Sequence, residues 1–193
     1  VAMLDIQEEL GEKESRAINE AGRYAKFYKC DITNIEECEK TVCAVEKDFG
    51  RIDILFNNAG VAFRNTVVGL SEKQWDTVVD VTLKGAFLMS KFVIPVMEKN
   101  GGGSIINTGS GWGLKGGDMA AAYCAAKGGI VNLTRAMAID HGPKNIRVNS
   151  VNPGYTDTAM LRSEGVQIGA QDGKPDLQAY LDDWGNDRPL GRC

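Results

Sequence analysis

Residues 107–127 read N-T-G-S-G-W-G-L-K-G-G-D-M-A-A-A-Y-C-A-A-K, and the rest of the chain is organised around this stretch. It places one hydroxyl, Ser110, in a glycine-rich loop and sets Tyr123 and Lys127 four residues apart. If residues 120–138 form a helix, this spacing puts the phenol and the ammonium on one face, one turn apart. A nearby ammonium lowers the pKa of a Tyr from about 10, so such a phenol can transfer a proton near neutral pH. Ser110 then offers a neutral hydrogen bond to the same reacting oxygen.

Composition limits the classes of protein to which this chain can belong. Its 193 residues suffice for one domain with a sizeable core. A net charge of −4 argues against nucleic-acid binding, and the longest apolar runs are too short to cross a membrane. The five cysteines form no C-x-x-C pair and have no His nearby, which predicts free thiols in a reducing cytoplasm and no metal site.

Short apolar segments alternate with helix-favouring stretches along the chain. The predicted strands are residues 1–4, 26–30, 52–56, 104–107 and 146–151, and the predicted helices are residues 8–21, 35–49, 71–97 and 120–140. This alternation predicts an α/β fold, a single domain in which a doubly wound parallel sheet carries helices on both faces. Residues 158–188 are polar and weakly periodic, which predicts a mobile loop with one or two short helices such as 177–184.

Polar side chains follow the predicted strands at their C-terminal ends, where open α/β sheets bind ligands. They are Asp5, Asp31, Asn57, Ser110 and Asn152. An acidic residue at the position of Asp5 accepts hydrogen bonds from a ribose and repels a 2′-phosphate, which favours NAD over NADP; an ordinary loop Asp is the alternative. After Asn57, the small residues Ala59 and Gly60 allow a flat ligand to approach the backbone, although the same composition is common in turns.

Several large apolar side chains follow strand ends or lie in the polar segment. They are Phe63, Trp112, Tyr155, Met160 and Trp184. Together they can form the apolar wall of a substrate pocket, while each taken alone is explained equally well by packing.

The combination of motifs is more specific than any one of them. It comprises Asn57-Asn58-Ala59-Gly60, Ser110, Tyr123-x-x-x-Lys127, Asn152-Pro153-Gly154 with Thr158, and Pro189-Leu190-Gly191-Arg192. Over essentially the whole chain this set resembles the short-chain dehydrogenases/reductases. The resemblance implies a Rossmann-type domain that binds NAD(P) and transfers a hydride between an alcohol and a ketone.

The same resemblance implies a role for each matched residue. Tyr123 would be the general acid/base, Ser110 would hold the substrate oxygen, and Lys127 would bind the nicotinamide ribose. The implied cofactor contacts are Asp5 at the adenosine ribose, Asp31 and Ile32 at the adenine, Asn57, Ala59 and Gly60 at the sugars, and Pro153, Gly154 and Thr158 at the nicotinamide end. The implied assembly is a homotetramer built on helices 71–97 and 120–140.

Two departures from the family pattern affect these expectations. Where the family usually has an Asn that completes a proton relay, this chain has Thr82 in the stretch V-T-L-K-G. We therefore expect a lower turnover or an altered relay, with activity retained. The first strand, its glycine-rich phosphate loop and the C-terminal end of the family pattern are also missing, so we expect the sequence to be part of a longer polypeptide.

Two other functions remain open from the residues alone. One is a non-catalytic binding or scaffold protein with the same fold, which the intact Ser110, Tyr123 and Lys127 argue against. The other is an NADP-dependent 3-oxoacyl reductase, which Asp5 argues against. The identity of the alcohol or ketone is not readable from the sequence.

Overall fold

The computed structural model describes residues 1–163, 166 and 178. Its strands are β1 (Ala2–Asp5), β2 (Lys26–Lys29), β3 (Ile54–Asn57), β4 (Gly103–Thr108) and β5 (Ile146–Val151). Its helices are α1 (Glu8–Glu20), α2 (Ile35–Phe49), α3 (Glu72–Val79), α4 (Gly85–Lys99), α5 (Gly111–Lys115) and α6 (Ala121–His141). A π-helical segment, Asp80–Lys84, joins α3 to α4, and a 3-10 turn, Gly142–Lys144, follows α6. The predicted alternation of strands and helices is confirmed.

Every strand pair in the described chain is parallel. β1 pairs with β2, and β3, β4 and β5 form a second group in that order. Each parallel neighbour requires a crossover connection, which the intervening helices provide. Since the registers pair Asp5 with Lys29, Asn57 with Asn107 and Thr108 with Val151, the C-terminal strand ends within each group lie at one edge. The predicted α/β fold with parallel sheets is therefore confirmed.

Two clusters of buried side chains hold the helices to the sheet. The larger one joins α2, α4 and α6 to β4 and β5, and Met97 and Ile105 at its centre are 0% exposed. Complete burial of a side chain of this size stabilises the fold by about 1.5–3 kcal/mol. The smaller cluster consists of Val78 from α3 with Ala122 and Ala126 from α6, and Tyr123 packs against it. This second cluster fixes the phenol that the sequence analysis selected.

Side-chain caps mark the starts of α2 and α3. The Asn34 side chain accepts hydrogen bonds from the N–H groups of Glu36 and Glu37, as expected for an N-cap. The Glu37 carboxylate accepts the N–H of Asp31, so it ties the end of β2 to α2. The complete capping box lies at Ser71 and Gln74, where α3 begins.

The helix predicted over residues 71–97 is interrupted by the π-helical segment Asp80–Lys84 and continues to Lys99. A π turn accommodates an extra residue and is frequent at functional sites. Thr82 lies in its middle and is 1% exposed. The π-helical segment therefore sets the direction of the Thr82 side chain, which stands where the family usually has an Asn.

Within the described ranges, no helix combines the length and the apolar character needed to cross a membrane. Cys30, Cys38, Cys43 and Cys124 are free thiols there. No group of three His, Cys, Asp or Glu side chains with metal-binding geometry occurs in that part of the chain. Predictions that concern Trp184, residues 177–184, 189–192 and most of 158–188 fall outside the described residues.

Candidate active site

A cavity of about 820 Å³ opens at the C-terminal ends of the strands and is bordered by both strand groups. Most of the residues singled out from the sequence line it: Asp5, Ala59, Gly60, Ser110, Trp112, Tyr123, Lys127, Pro153, Gly154, Tyr155 and Thr158. This is the edge at which open α/β sheets bind their ligands. The structure therefore brings the proton-transfer candidates and the cofactor candidates to one place.

Lys127 is a buried cation at the floor of this cavity. Its residue is 3% exposed, and its Nζ donates a 2.6 Å hydrogen bond to the carbonyl oxygen of Thr108. Burial lowers the pKa of Lys127 from 10.5 to about 8. Its Nζ lies 5.6 Å from the centroid of the Tyr123 ring, which is the one-turn separation expected from the spacing. The group remains largely protonated at neutral pH and places its charge beside the phenol.

Ser110 caps the short helix α5, although the sequence suggested only a loop. Its Oγ accepts the N–H of Trp112 at 3.1 Å, and its own N–H donates to Oδ1 of Asn152 at 3.2 Å. These contacts connect the ends of β4 and β5 through one residue. A hydroxyl that accepts from the backbone still carries its own hydrogen. Since no described hydrogen bond uses the Ser110 O–H, this group can donate to a ligand oxygen in the cavity.

The glycine-rich loop brings α5 directly against the backbone of α6. A Cβ atom placed on Gly113 would lie 2.6 Å from the carbonyl carbon of Lys127 and 2.7 Å from its oxygen. No side chain fits at that distance, so only a glycine allows this approach. The separation between Ser110 and the Tyr123–Lys127 face depends on this contact.

Thr82 lies behind Lys127, outside the cavity wall. Its Oγ1 accepts the N–H of Val61 at 3.3 Å. A Cβ atom placed on Gly60 would lie 3.4 Å from Nζ of Lys127 and 3.5 Å from Oγ1 of Thr82. The ammonium of Lys127 and the hydroxyl of Thr82 thus both lie next to Gly60. The N–H of Val61 holds the hydroxyl in this position.

Asp5, Asp31 and Ile32, which were predicted to contact the adenosine end of the cofactor, do not all line the main cavity. Asp5 borders the cavity, and its Oδ1 accepts the N–H of Gln7 at 2.9 Å. Asp31 borders an adjoining cleft of about 480 Å³, which shares Ile6 and Val81 with the main cavity and is also lined by Asp76 and Asp80. The Ile32 side chain packs on Gly85 at the start of α4, where it would lie 2.5 Å from an added Cβ. The structure therefore does not bring Asp31 and Ile32 into the main cavity.

Asn57 turns its side chain into the protein. Its Nδ2 donates to Oδ1 of Asn107 at 2.9 Å and to Oγ of Ser90 at 3.2 Å. The next residue, Asn58, lines the cavity and accepts the Thr108 hydroxyl at 3.1 Å. Asn58 is a lining residue that was not predicted from the sequence, although the repeated Asn in the motif was the available signal.

Of the apolar side chains predicted for the pocket wall, those that the structure describes line the cavity with one exception. The ring of Trp112 meets the rings of Tyr123 and Tyr155 edge-on, with centroids 6.2 Å and 6.0 Å apart. Met160 contributes to the wall with them. Phe63 does not line the cavity, because it packs against the smaller core cluster around Val78.

Comparison with known proteins identifies the family to which this chain is similar. Residues 1–168 match the family model described as short chain dehydrogenase. The chain is 38% identical over 180 residues to 2-(S)-hydroxypropyl-CoM dehydrogenase 3 of Xanthobacter autotrophicus, covering 93% of this chain and 69% of that protein. It is 38% identical over 162 residues to the cyclopentanol dehydrogenase of a Comamonas species, covering 84% of this chain and 65% of that protein. The chain thus spans about two thirds of the length of these relatives.

Solved structures give the same result for the fold. The crystal structure of NAD⁺-bound xylitol dehydrogenase matches with a TM-score of 0.91 and 35% identity, over 99% of this chain and 75% of that one. An actinorhodin polyketide ketoreductase with NADPH matches with a TM-score of 0.93 and 31% identity, over 100% of this chain and 74% of that one. By its family match, its relatives and its Rossmann-type fold, this chain belongs to the short-chain dehydrogenases/reductases.

Proposed function

We propose that the protein is an NAD-dependent oxidoreductase that interconverts a secondary alcohol and a ketone. The observation that carries this proposal is the shared position of Ser110, Tyr123 and Lys127 on one cavity at the strand ends. A hydroxyl donor, a phenol and a cation together provide what the removal or addition of a hydroxyl proton requires.

Tyr123 is the proton-transfer group in this mechanism. During oxidation its phenolate oxygen takes the proton from the substrate hydroxyl, and during reduction the phenol returns it. The ammonium of Lys127, 5.6 Å from the Tyr123 ring centroid, favours the phenolate by Coulomb attraction. Because Lys127 is buried, solvent screens this attraction less than it would at the surface. The O–H of Ser110 holds the substrate oxygen while the proton moves.

The residues present fit the two sugar ends of a nicotinamide dinucleotide. Asp5 offers a carboxylate at one border of the cavity, and Lys127 offers an ammonium at another. Ala59 and Gly60 leave the backbone open between them, and Pro153, Gly154 and Thr158 line the side formed by the end of β5. When bound there, the nicotinamide supplies the acceptor for the hydride that leaves the carbinol carbon.

NAD is the cofactor that Asp5 favours, because its carboxylate repels a 2′-phosphate. Similar structures carry either form: NAD⁺ in xylitol dehydrogenase and NADPH in the polyketide ketoreductase. The preference therefore rests on Asp5, and a comparison of rates with NAD and NADP tests it. A strong NADP preference would favour the alternative function, a 3-oxoacyl reductase.

The wall of Trp112, Tyr155 and Met160 favours a substrate with an apolar flank beside the reacting carbon. We propose a small cyclic or branched secondary alcohol; the relative named cyclopentanol dehydrogenase supports this class. We also propose that residues 158–188 form the substrate lid. For the assembly we propose a homotetramer built on helices α4 and α6, and for the location the cytoplasm.

The deciding experiment uses the full-length protein. NADH is titrated while its fluorescence is followed, and a panel of secondary alcohols is scored by the appearance of NADH. We expect binding, turnover of at least one alcohol, and a loss of turnover of roughly 10²-fold or more in Tyr123→Phe. Tyr123→Phe should still bind NADH. If the parent protein binds no NADH, the enzyme proposal fails and a non-catalytic scaffold is favoured.

A further inference from the structure

Arg64 is a buried cation in the loop that follows β3. Its side chain is 3% exposed, and its guanidinium carbon lies 4.7 Å from the centroid of the Trp112 ring. Arg64 does not line the cavity, whereas Trp112 does. The guanidinium is therefore in contact with a residue of the cavity wall, the indole of Trp112.

The ion pair between Arg64 and Asp118 is weaker than the contact of Arg64 with the indole. The Nη2 atom of Arg64 lies 3.4 Å from Oδ2 of Asp118, but the Asp118 side chain is 83% exposed. Pairs that involve such an exposed carboxylate contribute little, because solvent screens them. A guanidinium stacked on a desolvated aromatic face interacts more strongly. The stacking on Trp112 therefore gives Arg64 a direct means of holding that ring.

Several contacts besides that of Arg64 restrict the position of the Trp112 ring. A Cβ atom placed on Gly117 would lie 2.5 Å from Cδ2 of the indole, so the backbone at Gly117 packs directly on the ring. An isolated parallel bridge joins Asn65 to Ala120 and ties the loop of Arg64 to the segment that leads into α6. These contacts hold the indole edge-on to Tyr123 and Tyr155.

We propose that Arg64 is a positioning residue that fixes Trp112 as the selective wall of the substrate pocket. This inference rests on the proposed function, since it assigns the apolar flank of the substrate to the Trp112 side. A fixed ring fills a defined volume beside Tyr123, so a substrate whose shape is complementary to the ring binds more tightly. When the ring is released, selectivity between a cyclic and a small open-chain alcohol falls, while proton transfer at Tyr123 continues.

The kinetic test compares cyclopentanol with 2-propanol in the full-length holoenzyme. Arg64→Met keeps the length of the side chain and removes its charge, and Arg64→Lys restores the charge. For Arg64→Met we expect KM for cyclopentanol to rise roughly tenfold, with kcat and the constants for 2-propanol within about twofold. Arg64→Lys should recover part of this loss. Asp118→Asn, the matched control at the exposed partner, should behave as the parent.

A double-mutant cycle separates positioning from a general structural role. If Arg64 acts through the indole, Arg64→Met has no further effect on selectivity once Trp112 is replaced in Trp112→Ala. Fully additive effects, or an equal loss of kcat/KM for both alcohols in Arg64→Met, would overturn the proposal.

A fluorescence test works without any activity. With Trp75→Phe and Trp184→Phe as background, Trp112 is the remaining tryptophan of the chain. Arg64→Met should shift and broaden its emission, and both Arg64→Lys and Asp118→Asn should shift it less. Unchanged emission in Arg64→Met would reject the positioning role. If the parent oxidises no alcohol but the emission shifts, the proposed function fails while the contact between Arg64 and Trp112 stands.

Discussion

The ammonium of Lys127 donates a 2.6 Å hydrogen bond to the carbonyl oxygen of Thr108, the last residue of β4. One contact thus fastens the middle of α6 to the end of the strand from which the Ser110 loop departs. The same burial that makes this contact rigid lowers the pKa of Lys127 to about 8. Holding this buried cation consequently costs stability.

This cost predicts a stability signature that depends on pH. Between pH 8 and 10.5 the unfolded chain binds more protons at Lys127 than the folded chain, so the free energy of unfolding rises with pH in this window. Lys127→Met lacks this rise. The parent should gain about 3 kcal/mol relative to that variant across the window, measured by urea unfolding. An exposed control, Lys40→Met, should retain the rise, and a constant difference between parent and Lys127→Met would contradict the prediction.

Ser110 has two roles that a pair of variants can separate. Ser110→Ala removes both the donor to the substrate oxygen and the cap of α5, so we expect kcat/KM to fall by roughly 10²–10³ and stability to fall by about 1 kcal/mol. Ser71→Ala removes the cap of α3 and should lower stability by a similar amount without affecting kcat/KM. Steady-state rates and thermal unfolding of both variants provide the measurement. Equal kinetic effects would show that Ser110 acts only as a cap.

Thr82 is predicted to support proton movement behind Lys127. Thr82→Val leaves the N–H of Val61 without its acceptor and removes the hydroxyl, so kcat should fall by roughly tenfold while Thr82→Ser remains near the parent. Thr82→Asn restores the residue usual in the family and should raise turnover or shift the pH–rate profile. Indistinguishable profiles for the parent and Thr82→Asn would remove Thr82 from the relay.

The contact at Gly113 predicts a distance effect on catalysis. In Gly113→Ala the new methyl group would meet the backbone of Lys127 at 2.6 Å, so α5 and Ser110 must move away. We expect stability to fall by about 1–3 kcal/mol and kcat to fall by roughly 10²-fold, because displacement of a positioned group is costly. Gly128→Ala is the matched control, since its methyl group would lie 3.5 Å from the carbonyl oxygen of Gly113. Equal effects of the two changes would argue against this explanation.

The sequence predicted those parts of the site that depend on local spacing. Tyr123 and Lys127 share a helix face because a helix has a fixed period. By contrast, the orientation of Asn57 and Asn58 at the turn depends on which amide finds buried partners, and Asn107 and Ser90 come from elements distant in the chain. The contact between Arg64 and Trp112 was missed for the same reason, because it joins the loop after β3 to α5.

The π-helical segment Asp80–Lys84 lets one continuous helix face two different environments. Before it, Val78 packs into the small cluster that seats Tyr123; after it, Met97 lies at the centre of the main core. Each residue of an α-helix turns the following side chains by about 100°. Deletion of one residue within this segment would therefore rotate all of α4 relative to α3 and remove either the packing around Tyr123 or the core contact of Met97. The number of residues in this segment is thus as strict a requirement as the identity of the buried side chains on either side of it.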